Sequence, residues 1–123
     1  MKEFHFTIPF EPITKKNSQQ IVYANGRPII IPSKKYKEYE KSATQILMFN
    51  TTYIDYPVEV TCYFFMKTKR KCDLTNLLEA VDDVLVKAGI LEDDNYTIIV
   101  SHDGSRVFYD KENPRTEIYI KEV

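Results

Sequence analysis

The fold of this chain is read from Asp73-Leu-Thr-Asn-Leu-Leu-Glu-Ala-Val-Asp-Asp-Val-Leu-Val-Lys-Ala-Gly89 and the Ile90-Leu-Glu-Asp-Asp94 that follows it. At about 100° per residue, Leu74, Leu77, Leu78, Val81, Val84, Leu85 and Ala88 collect in an arc about 120° wide, the stripe that a helix turns toward a core. Asp73, Asn76, Glu79 and Asp83 share the opposite arc. Gly89 ends the helix as a residue able to adopt the left-handed backbone of a C-cap. Ile90 to Asn95 then forms a short connection into a predicted strand, Tyr96-Thr-Ile-Ile-Val-Ser101.

On the N-terminal side, Val58-Glu-Val-Thr-Cys-Tyr-Phe-Phe-Met66 has the β-branched and aromatic content of a central strand. Before it, Pro32-Ser33 opens a helix with Ser33 as N-cap, and Tyr36, Tyr39, Ala43, Ile46 and Leu47 recur on one face. Ile21-Val-Tyr23 and Pro28-Ile-Ile-Ile31 flank Asn25-Gly26, a pair suited to a tight hairpin turn. Phe4 to Ile8 reads as a first strand, and Glu11 to Ser18 as a polar loop. Beyond the helix, Arg106-Val-Phe-Tyr109 and Thr116-Glu-Ile-Tyr-Ile120 read as strands separated by turns at Asp103-Gly104 and Lys111 to Pro114. The expectation is an α+β fold: one domain over residues 1–123, with a mixed sheet and hairpins covered by two helices.

The 123 residues, 43% hydrophobic and 13% aromatic, suffice for one core. There is neither an apolar run long enough to span a bilayer nor an apolar leader after Met1, so a soluble, cytoplasmic protein without a membrane partner is expected. Cys62 and Cys72 lack the paired spacing of a zinc site and read as buried or incidental thiols. His5 and His102 read as a strand residue and a turn-adjacent residue. The three glycines form no phosphate-binding loop.

The net charge of -1 conceals a division along the chain. Residues 1–72 hold twelve Lys/Arg against six Asp/Glu, and residues 73–123 hold five against twelve. The basic cluster Lys67-Thr-Lys-Arg-Lys71 ends two residues before Asp73, so charge that could hold phosphate adjoins charge that could hold metal. Each acidic residue also has an ordinary reading. Asp73 can cap the helix, Glu79, Asp82 and Asp83 can be its solvated face, and Asp93-Asp94-Asn95 can be a polar turn. A helix of about fifteen residues spans roughly 22 Å, so Asp94 can approach Asp73 only through a chain reversal or a second subunit.

Lys71-Cys-Asp-Leu-Thr-Asn-Leu77, Asp83 and Gly89-Ile-Leu-Glu-Asp-Asp94, together with Ile8-Pro-Phe-Glu-Pro12 and Lys15-Lys-Asn17, resemble the RusA-type Holliday junction resolvases over most of the chain. The resemblance implies a homodimeric, magnesium-dependent endonuclease, manganese being an alternative ion, that makes paired symmetric nicks in four-way DNA junctions. It places the family's metal-holding aspartates at Asp73, Thr75 and Asp94, so one carboxylate is replaced by threonine. Glu79 stands where better-known members carry lysine, and on this reading it restores the missing charge. The expected catalytic set is Asp73, Glu79, Asp93 and Asp94, and the expected metal ligands are Asp73, Glu79, Asp83 and Asp94. Expected DNA contacts are Lys15, Lys16, Asn17, Lys67, Lys69, Arg70, Lys71 and Asn76, with affinity falling steeply as salt rises. Two alternatives stand beside this reading: a DNA-binding relative that has lost catalysis through Thr75, and a small protein-interaction module that uses its acidic half.

Overall fold

The computed structural model describes residues 1–15 and 19–123, and the side chains from residue 21 onward in the second segment. The expected Lys16 and Asn17 contacts therefore lie outside the described residues. The strands are β1 Glu3–Ile8, β2 Gln19–Ala24, β3 Arg27–Pro32, β4 Val58–Met66, β5 Ile99–Ser101, β6 Arg106–Tyr109 and β7 Arg115–Glu122. The helices are α1 Lys34–Leu47 and α2 Leu74–Lys87. The fold is α+β, as the sequence predicts.

β4 organises the main sheet. It pairs antiparallel with β7, which pairs antiparallel with β1, while its other edge takes β5 and then β6 in parallel. Parallel strands cannot be joined by a tight turn, so the chain between β4 and β5 crosses over through α2. Along β4, Val58, Val60, Cys62 and Phe64 are buried and the alternate residues are not, which puts the core on one face of the sheet. Leu77, Val81, Val84 and Leu85 of α2 enter that core, each contributing about 1.5–3 kcal/mol by leaving water. β2 and β3 form a separate ribbon, turned by Asn25 and Gly26 at φ 53° and 76°.

Four details depart from the sequence expectation. The strand expected from Tyr96 begins only at Ile99, because the Asn95 carbonyl accepts the amides of Ile98 and Ile99 at 3.1 and 3.0 Å and curls the chain into a turn. In α2, Leu74 is 36% exposed, being in the first turn beyond the edge of the core, while Ala80, outside the predicted stripe, is buried where α1 packs against α2. Ile46 of α1 is likewise exposed. Asp82, expected on the solvated face, is held inward by His102.

Candidate active site

α2 starts where the basic loop ends. Asp73 occupies the N-cap position with extended backbone, and its main-chain carbonyl accepts the amides of Asn76 and Leu77. Its side chain makes no cap hydrogen bond among the described residues and meets the Asn76 amide at 3.5 Å. The carboxylate is thus exposed and free of capping duty. Lys67, Lys69, Arg70 and Lys71 are exposed just before it, and Lys69 Nζ lies 5.0 Å from the Tyr109 ring centre. Glu11 to Thr14, after β1, line one crevice with Arg70, Lys71 and Lys35. The loop after the first strand and the basic loop, distant in sequence, are neighbours in space.

At the other end of α2 the chain reverses. Gly89 has φ 78°, Ile90 and Leu91 donate to the Leu85 carbonyl, and Ile54 pins the segment by exchanging bonds with Ile90 and Glu92. The acidic turn that follows is braced from within: Asp93 accepts the Asp94 amide at 2.7 Å and the Asn95 side-chain amide at 3.0 Å. Those donors hold the Asp93 carboxyl below its ordinary range.

After the reversal, the charge of Asp94 acts on Asp82 and Asp83 of α2. Asp83 is pushed up by burial, pulled back by Lys15, and pushed up again by Asp94, Glu79 and Glu40. Asp82 is also pushed up, first by burial, with His102 opposing and Asp94 and Glu79 adding to it. Glu79, Asp82, Asp83 and Asp94 therefore act on one another through one negative field, which Lys15 partly offsets at Asp83. Asp73 is a separate point on the same helix, about 15 Å along the axis from Asp83. Among the described residues, no group of three or more His, Cys, Asp or Glu side chains is arranged to hold a metal ion. The donor chemistry nonetheless suits a hard cation, since these are carboxylates whose mutual repulsion a divalent ion would relieve.

Sequence reasoning missed the link between Asp82 and His102. His102 Nε2 lies 2.9 Å from Asp82 Oδ2, and its Nδ1 lies 2.8 Å from the Val60 carbonyl. A carbonyl can only accept, so Nδ1 carries a proton and the remaining one is shared between Nε2 and the carboxylate. Burial lowers the affinity of His102 for that proton, but Asp82 and the Val60 carbonyl more than reverse the effect, and the imidazole is pushed up. Asp82 Oδ1 is buried without a hydrogen-bond partner among the described residues. No spacing rule connects positions 82 and 102; only the return of β5 beside β4 does.

The remaining expectations for side chains are simpler. Thr75 and Glu79 are exposed on α2. His5 stacks on Tyr119 and meets Glu117 on the open sheet face, away from this site. Burial raises both thiols, Cys62 most, so neither has the lowered pKa of a nucleophile. No helix among the described residues is long and apolar enough to cross a membrane.

A family model described as endodeoxyribonuclease RusA matches residues 9–121. No curated protein matches the chain in sequence.

Proposed function

Because this chain belongs to the RusA endodeoxyribonuclease family, we propose that it is a divalent-metal-dependent nuclease that cuts four-way DNA junctions by paired symmetric nicks, acting as a homodimer in recombination and repair. Magnesium is the proposed ion, with manganese able to substitute. The observation that supports this reading is the family match over residues 9–121, and it is consistent with the electrostatic influence that both Asp94 and Lys15 exert on Asp83 of α2.

Asp73, Glu79, Asp83 and Asp94 are the proposed ligands, Asp73 and Asp83 standing about 15 Å apart along α2 and so not both touching one ion in this arrangement. A bound ion would supply activation of water and neutralisation of charge developing on the phosphate. The protein contributes the rest. Lys15, Lys67, Lys69, Arg70 and Lys71 hold backbone phosphates without reading sequence, with Lys16, Asn17 and Asn76 as further contacts. Asp93 fixes the Asp94 backbone, and its low proton affinity suits it to positioning rather than to accepting a proton. As water oxygen bonds to phosphorus, one phosphorus–oxygen ester bond of the strand breaks, the water gives up a proton to solvent, and the departing sugar oxygen takes one up to leave as a hydroxyl. Glu79 replaces the carboxylate that Thr75 lacks.

A second reading has a specific observation behind it. Thr75 in the first motif, together with the lack of a closed ligand set among the described residues, favours a junction-binding relative without catalysis. Incubating an immobile four-way junction and a linear duplex with the protein, with and without magnesium, separates the two. Cleavage of the junction alone, dependent on the ion and reduced at least about tenfold in Glu79→Gln, is expected. Binding of the junction without cutting, in magnesium or manganese, would establish the second reading instead.

A further inference from the structure

Tyr96 is 83% exposed at the crown of the acidic turn, two residues after Asp94. Turn positions favour Asn, Asp, Gly and Ser, whereas tyrosine ordinarily hides its ring. Tyr109, in the strand beside the basic loop, has Lys69 over its ring. Tyr96 has no ring or cation against it among the described residues.

The turn that presents Tyr96 is fixed on both sides. Before it, Asp93 binds the Asp94 amide and the Asn95 side chain. After it, the Asn95 side-chain oxygen accepts the Thr97 amide at 2.9 Å, and Ile98 and Ile99 are buried, with the Ile98 carbonyl taking the Val58 amide at 2.7 Å. A ring held outward by a braced turn loses little conformational freedom when a flat ligand stacks on it.

The charge of the surroundings selects the kind of contact. Glu92, Asp93 and Asp94 repel a phosphate backbone, so whatever this turn itself contributes to DNA binding comes from its uncharged groups, the lysines of the other loops holding the backbone. Every nucleobase offers a π face, and stacking on an aromatic ring is independent of sequence. Where strands exchange, base stacking is interrupted and such faces become available.

We propose that Tyr96 stacks on a base next to the scissile phosphate and thereby positions branched DNA over the carboxylates. This rests on the nuclease reading above. The test compares Tyr96→Ala, Tyr96→Phe and the unaltered full chain on a four-way junction carrying 2-aminopurine beside the nick site. The expected result is roughly a tenfold loss of kcat/KM in Tyr96→Ala, near-complete retention in Tyr96→Phe, and loss of the 2-aminopurine emission change in the alanine variant alone. Equal cutting by Tyr96→Ala and the unaltered chain would overturn the proposal. So would Tyr96→Phe failing as badly as alanine, which would assign the effect to the hydroxyl, or loss of dimer in Tyr96→Ala by sedimentation. Failure of the unaltered chain to cut any branched DNA would instead strike the nuclease reading itself.

Discussion

At the scale of single residues, the bridge from His102 to Asp82 and Val60 ties α2 to the sheet beside the candidate site. Removing the imidazole leaves a buried carboxylate and a carbonyl without their donor, so His102→Ala should cost about 1–3 kcal/mol in urea unfolding near pH 6. The pH dependence follows from the direction of the shift. Because the folded imidazole is raised above its ordinary value of 6.5, its contribution is fully present below that value and is lost as pH rises through the higher folded one. Unfolding curves at about pH 6 and about pH 8.5 should therefore show the gap between wild type and His102→Ala narrowing on the alkaline side. A gap independent of pH would mean that His102 acts only by filling space. The pair was invisible in the sequence because Asp82 neighbours Asp83 on the helix, and only tertiary packing decides which of two adjacent carboxylates turns inward. By contrast, the end of α2 was legible, since periodicity and the Gly89 stop place it without knowledge of long-range contacts.

Elements were easier to read than contacts, and the two helix starts show why. Ser33 lies where a hydroxyl should cap α1, and its Oγ accepts the Tyr36 amide at 3.2 Å. Asp73 holds the same position in α2 but leaves its side chain uncommitted to the cap. Cap substitution should therefore affect the two helices differently. Ser33→Ala should lower stability by about 1 kcal/mol, whereas Asp73→Asn should lose only the interaction of its charge with the helix dipole, about 0.3–1 kcal/mol at low salt. Urea titrations of both variants, repeated at high salt to screen the dipole, make the comparison, and Asp73→Asn should then approach wild type. A loss at Asp73 as large as at Ser33 in high salt would make its role structural and weaken its place among the proposed ligands. The same reasoning explains the misplaced start of β5. Alternation through Tyr96-Thr-Ile-Ile suggested a strand, but Asn95 offers both its carbonyl and its side chain to the next residues, and that local bonding wins over β propensity.

For the whole molecule, the segregated charges of the sequence are partly remixed by folding, since Lys87 of the acidic half pairs with Glu40 of the basic half. What folding leaves uncovered is apolar. Ile21, Tyr23 and Ile30 lie exposed on one face of the β2–β3 ribbon, and a row of rings runs over the open face of the sheet through Tyr119, Tyr63, Phe108 and Phe65. Surface of this kind supports association with a second copy, and twofold symmetry would give a four-way junction one cutting site per equivalent strand. If the proposed ligands of a site all come from one chain, each site should be complete within its own subunit. That has a consequence for mixed dimers. If differently tagged wild-type and Asp73→Asn chains are unfolded and refolded together and the mixed species is isolated, it should nick one strand of a cruciform plasmid and yield open circles, whereas the wild-type dimer linearises it. The mixed dimer should also keep about half the wild-type rate for the first nick, because one of two independent sites survives. An inactive mixed species would mean that catalytic residues cross between subunits, and a mixed species that still linearised the plasmid would mean that one site serves both strands in turn.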